Sequence, residues 1–108
     1  LCACVPRGSA PPTESFAALA AGADALKASP ADMIPPAAVG AMRAVLPKGT
    51  RILPVGGITP ETMAPYHAVG AAGFGLGSAL FKPGMTVADV AGRAAKFVGA
   101  WRKLQASS

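Results

Sequence analysis

The chain has 108 residues, of which 52% are apolar and only 14% charged, a balance that argues for a folded core and against disorder. Ten Lys and Arg against five Asp and Glu give a net charge of +5, suited to an anionic ligand. The basic residues are scattered and aromatics amount to 6%, so the clustered basic and aromatic surface that nucleic acids require is not there.

The chain opens on Leu1, as a segment of something longer would, and residues 1–5 (LCACV) read as a strand. Cys2 and Cys4 have no second cysteine or histidine pair to complete a zinc site, and the expectation is two buried, reduced thiols of a cytoplasmic protein. The start is too short and lacks the basic residues of a signal peptide. After a loop (PRGSAPP), Thr13 is placed to cap a helix over 14–21 that Gly22 ends. A short apolar strand at 23–27 ends in Lys27. Pro36 then opens a helix to about Leu46, and RILPV at 51–55 is a further buried strand.

Thr59-Pro60-Glu61 combines an N-cap, a proline at N1 and an acid in the first turn of a helix ending near Gly70. AGFGLG at 72–77 reads as a glycine-rich strand. The last helix, 87–104, starts at Thr86 with Asp89 three residues on. Val87, Val90, Ala91, Ala94, Phe97, Val98, Trp101 and Leu104 are its apolar stripe. Residues 62–81 carry no Lys, Arg, Asp or Glu, but Pro65, His67 and glycines at 70, 73, 75 and 77 break the run, which excludes a membrane span.

Strands that are apolar throughout and alternate with helices mean a parallel sheet covered on both faces, an α/β architecture. PTESFAALAAGADALK and TPETMAPYHAVGAAGFG share one order: acidic helix start, helix, Gly-Ala, strand. Repeated βα units of this kind build (β/α)8 barrels or doubly wound sheets. A whole barrel needs ~200–250 residues, so one partial domain spanning 1–108, with three to four parallel strands and covering helices, is about half of one.

Two features point to chemistry. Lys27 ends an apolar strand, where an ammonium group is costly. Either it snorkels to water, or its burial favours a neutral, nucleophilic amine. In PVGGITPE (54–61), Gly56 and Gly57 stand between a buried strand and a helix start, and in GLGSAL (75–80) Gly77 and Ser78 follow the next strand. Each turn alone is a tight connection. Together they can grip one phosphate through backbone amides. The single His67 has no second ligand nearby and reads as a surface or capping residue, and no carboxylate cluster offers a metal site. Glu14 and Glu61 offset helix dipoles, and Arg93, Lys96, Arg102 and Lys103 read as a solvated face.

RILPVGGITPETMAPY followed by GAAGFGLGSALFKPGMT resembles the class I, Schiff-base-forming aldolases of 2-dehydro-3-deoxy-6-phospho sugar acids, over about Thr13 to Leu104. The resemblance implies the C-terminal half of a (β/α)8 (TIM) barrel, trimeric over the family's full length. It also implies a phosphorylated keto-acid substrate, cleaved to pyruvate and glyceraldehyde 3-phosphate without metal or organic cofactor. The family's imine lysine stands in an A-L-K-x-x-P context, which matches Lys27 with Pro30, and Gly56, Gly57, Gly77 and Ser78 match its phosphate loops.

Three departures accompany the match. Ala28 and Ser29 replace a large apolar residue and Phe, the loop at PRGSAPPTE is one residue longer with Pro11 in place of a threonine, and no position corresponds to the family's acid/base glutamate. The competing expectation is therefore a non-catalytic sugar-phosphate-binding half-barrel, or an inactive piece of one.

Overall fold

Three parallel strands, in the order β1-β2-β3, form the sheet of the computed structural model, which describes residues 2–5 and 25–107. They are β1 (Cys2–Val5), β2 (Ala25–Ala28) and β3 (Arg51–Pro54), in a register that sets Lys27 beside Cys4 on one side and Leu53 on the other. The expected helix over 14–21, with Thr13, Glu14 and Gly22, lies outside the described residues, as do the side chains of Cys2 and Cys4.

Side chains on neighbouring strand positions face opposite sides of the sheet. Leu26, Ala28, Ile52 and Pro54 are buried, whereas Ala25, Lys27, Leu53 and Val55 are only half-buried and Arg51 is exposed. The buried set packs with Val39 of α1 (Pro36–Val45), Met63 and Tyr66 of α2 (Met63–Ala68) and Phe97 of α3 (Val87–Ser107). One face of the sheet therefore belongs to the helical layer, and the other carries Lys27.

The helix ends follow local chemistry. Pro36 occupies the first position of α1, where its missing N–H costs nothing. Leu46, forced toward extended backbone by Pro47, ends the helix at φ −81°, ψ 157°. α2 closes on Gly70 at φ +98°: its N–H donates to His67 O at 3.0 Å and that of Ala71 to Tyr66 O at 3.0 Å. At the start of α3, Thr86 N donates to Asp89 Oδ2 and Asp89 N to Thr86 Oγ1, both at 3.1 Å, a reciprocal capping box.

Three expectations change. Residues 72–76 do not form a full strand: the bonds Ala72 N to Ile52 O (2.9 Å) and Gly75 N to Pro54 O (2.9 Å) tie them to β3, and one isolated parallel bridge pairs Gly75 with Val55 just past it. Glycine weakens a strand interior, and Leu53 and Val55 fill the space the missing side chains leave. A Cβ at Gly73 would meet Leu53 Cδ2 at 3.2 Å, and one at Gly75 would meet Val55 Cγ2 at 2.5 Å. Second, the helix expected from Thr59 begins at Met63, because Thr59 and Thr62 first close a separate turn, Thr59 N to Thr62 Oγ1 at 2.8 Å and Thr62 N to Thr59 Oγ1 at 3.2 Å. Third, the α3 stripe is only partly used: Phe97 is buried, while Val87 and Val98 are exposed.

The packing of Gly75 on Val55 makes a direct test. Gly75→Ala should destabilise the chain by about 1–3 kcal/mol through overpacking. Gly77→Ala, with nothing within 4 Å of the added carbon, should stay within about 0.5 kcal/mol. Equal denaturant midpoints for the two variants would contradict this packing.

Candidate active site

Parallel strands end on one edge of the sheet, and the candidate residues follow those ends. Lys27 is the third residue of β2. Beyond the regular strands the β2–β3 pairing continues, with Val55 N donating to Ala28 O and Ala31 N to Val55 O, both at 2.8 Å. Val55 is thereby clamped between two residues of the segment that follows Lys27, and Gly56 and Gly57 are delivered to the same edge. The Ser29–Pro30 peptide in that segment is cis.

Gly56 and Gly57 have φ of +100° and +67°, the left-handed region that side chains disfavour. They also pack closely: a Cβ on Gly56 would lie 3.5 Å from Pro30 Cα, and one on Gly57 3.2 Å from Asp32 Cβ. Gly77 differs, since its φ is unexceptional and an added Cβ would meet nothing within 4 Å. The carbonyl of Gly77 accepts from Leu80 N at 2.9 Å and Phe81 N at 3.0 Å, which folds Ser78 and Ala79 into one helical turn. Gly56, Gly57, Gly77 and Ser78 line a single small cavity of about 70 Å³, together with Val55 and Gly75. Among the described residues, the amides of Gly57, Gly77 and Ser78 have no protein acceptor. Such amides are the means by which a loop holds an anion without a charged side chain.

The four loop residues thus line one cavity. Lys27 is not in the wall of that cavity but one strand away, half-buried on the sheet face it shares with Leu53 and Val55. His67, expected at the surface, is half-buried and packs edge-on against Trp101 at 5.7 Å, because α2 and α3 cross there. Among the described residues no three His, Cys, Asp or Glu side chains are grouped to hold a metal, and no helix is long and apolar enough to cross a membrane.

Sequence reasoning missed Tyr66. Its hydroxyl is buried 2.6 Å from Ala31 O and 2.7 Å from Ile34 O. Those carbonyls flank the turn carrying Asp32, the residue against which Gly57 packs, so Tyr66 braces that turn from the helical layer. The pairing spans more than thirty residues, and no local pattern signals it. The Met63–Tyr66 spacing marks only a buried helix face.

No family model matches the chain. It is 48% identical over 90 residues to a Rhizobium meliloti (strain 1021) protein named "Probable 2-dehydro-3-deoxy-6-phosphogalactonate aldolase", a match covering 83% of this chain and 42% of that protein. It is 46% identical over 96 residues to the 2-dehydro-3-deoxy-6-phosphogalactonate aldolase of Escherichia coli (strain K12), covering 89% of this chain and 47% of the enzyme. The chain resembles part of a 2-dehydro-3-deoxy-6-phosphogalactonate aldolase.

It spans about half the length of these curated relatives, at 42% and 47%. Among solved structures, "Native KDPGal structure" superposes with a TM-score of 0.88 at 43% identity, covering 95% of this chain and 48% of the other. A cube-shaped protein cage designed by fusing symmetric oligomeric domains superposes at 0.87 with 44% identity, covering 92% and 37%. The architecture is that of part of a (β/α)8 barrel.

Tyr66 is the only tyrosine in the chain, so phenolate absorbance reports it alone. Burial first, and then the charge of Asp32, raise its pKa above the ordinary 10.0. Its phenolate should appear at higher pH in the folded chain than in urea. A raised value stabilises the fold fully below about pH 10, and that contribution drains away as pH rises through the folded pKa. Tyr66→Phe should remove this alkaline loss and cost about 1–3 kcal/mol at neutral pH. Identical phenolate titrations in the folded and unfolded chain would contradict the bracing contact.

Proposed function

We propose that this chain is the C-terminal, imine-forming part of a class I aldolase. The reaction is reversible cleavage of 2-dehydro-3-deoxy-6-phosphogalactonate to pyruvate and D-glyceraldehyde 3-phosphate. One observation carries the reading: the β2–β3 pairing sets the strand of Lys27 beside the strand that leads into the Gly56-Gly57 turn, and Gly77 and Ser78 line one cavity with those two glycines.

The neutral amine of Lys27 adds to the C2 ketone to give a carbinolamine, which loses water to an iminium ion. The iminium accepts the electron pair of the C3–C4 bond as that bond breaks and the C4 hydroxyl loses its proton, releasing glyceraldehyde 3-phosphate and leaving an enamine. Protonation at C3 and hydrolysis free pyruvate and regenerate Lys27. The amides of Gly57, Gly77 and Ser78 hold the phosphate and so place the far end of the substrate. These positions are supported by the resemblance of PVGGITPE and GLGSAL to the family's phosphate loops and by the freedom of Gly77 from any internal packing reason to be glycine. No metal or organic cofactor enters these steps.

The proton leaving the C4 hydroxyl needs a base, which the resemblance assigns to a glutamate with no counterpart in this sequence. A positioned acid/base group is typically worth ~10²–10⁴-fold. The isolated chain should therefore form the imine yet turn over substrate slower than a complete enzyme by about that factor. The reading also covers one partial-barrel domain over 1–108, a homotrimer for the complete protein, and a cytoplasmic location. Oligomerisation draws support from the cage of fused symmetric oligomeric domains that this fold matches.

Incubation with pyruvate and borohydride, followed by peptide mass mapping, should place a reduced adduct on Lys27 and none in Lys27→Ala. An adduct confined to Lys48 or Lys82, or undiminished labelling of Lys27→Ala, would overturn the assignment. Full turnover by the 108-residue chain would overturn its dependence on an outside base.

A further inference from the structure

Behind the glycine loops lies a second, larger cavity of about 500 Å³, between the Thr59–Glu61 turn and α3. It shares Gly57, Ile58, Ser78 and Ala79 with the small loop cavity, so the two adjoin. Its wall carries Lys82, Arg93 and Lys96 against one carboxylate, Glu61. None of these three cations makes a hydrogen bond to a carboxylate among the described residues. Asp89, one turn before Arg93, is occupied in the capping box with Thr86. Arg93 Nη1 instead donates to Ala79 O at 3.0 Å, which fixes the guanidinium against the turn that presents Ser78.

A solvated helix face needs no such arrangement. Cations spread round a helix and balanced by acids would serve solubility alone. Here they come from two segments to one concavity whose wall also includes Gly57 and Ser78, two of the residues with unpaired amides. Backbone amides recognise an anion's shape and hydrogen-bonding groups, whereas nearby cations recognise its charge.

We propose that Lys82, Arg93 and Lys96 form a cationic wall to the phosphate site and make it select a phosphoryl dianion over a neutral hydroxyl at the same end of the ligand. The inference rests on the phosphate-loop reading above and adds side chains that set specificity. Arg93 is already bonded to Ala79 O, and Lys82 and Lys96 contribute charge that added salt screens.

The test measures binding of inorganic phosphate to the whole chain at low and high salt, with borohydride trapping of pyruvate on Lys27 as the control. Lys82→Gln/Lys96→Gln should weaken phosphate binding about tenfold at low salt, less at high salt, and leave trapping unchanged. Arg93→Lys, which keeps the charge, should bind better than Arg93→Gln. Gly77→Val, which has open space for its side chain, should lose phosphate by blocking its approach to the loop.

Unchanged binding in Lys82→Gln/Lys96→Gln and Arg93→Gln, with loss in Gly77→Val, would overturn the cationic wall while leaving the loops in place. Loss in the cation variants with full binding in Gly77→Val would support the wall and remove the loops from the reading above. A wild-type chain that binds no phosphate would overturn both.

Discussion

The parallel pairing of β2 with β3 is the constraint on which everything else depends. Its register sets Lys27 beside Leu53, and two further bonds carry it past the strands, with Val55 held between Ala28 and Ala31. Those bonds fix the placement in space of an amine relative to a pair of glycines twenty-nine and thirty residues later in the chain. A slip of one residue would exchange Lys27 with Leu26 or Ala28 and bury the ammonium in the helical layer. The fully buried Leu26 and Ile52 prevent that slip, so burial of side chains that touch no ligand decides where the lysine points.

Glycine is used in two distinct ways around this edge. Gly56 and Gly57 satisfy internal demands: positive φ at both, and close contact with Pro30 and Asp32. Gly75 likewise makes room for Val55. Gly77 satisfies none of these, and its open side leaves space for something outside the chain to approach. Tyr66 and Arg93 support the arrangement from behind, one by bonding the carbonyls around Asp32, the other by bonding that of Ala79. Each loop is thus braced by a long side chain from a helix, and neither bracing residue lines the small loop cavity itself.

Much of the fold is legible because local chemistry and long-range packing agree. Pro36, Gly70 and the Thr86–Asp89 pair each mark a helix end by a mechanism that operates within a few residues. The parallel sheet follows from strands with no polar side. The segment 72–76 misleads because Phe74 and Leu76 carry strand-like apolarity while the glycines between them remove the side chains that hold a ladder together. What is hidden are contacts between residues distant in sequence. Tyr66 looks like a core aromatic, and Lys82, Arg93 and Lys96 look like a solvated face until the turn after Gly77 brings Lys82 across to α3.

The central claim is that one sheet edge carries both an imine-forming lysine and a phosphate cavity. The most direct measurement is a structure of the protein after borohydride trapping with pyruvate, solved with inorganic phosphate bound. The account predicts a C–N bond at Lys27 Nζ and phosphate between Gly56-Gly57 and Gly77-Ser78, at the same edge of the sheet. A modified Lys27 with phosphate bound away from those loops, or phosphate in the cavity with the pyruvyl group on another lysine, would contradict it.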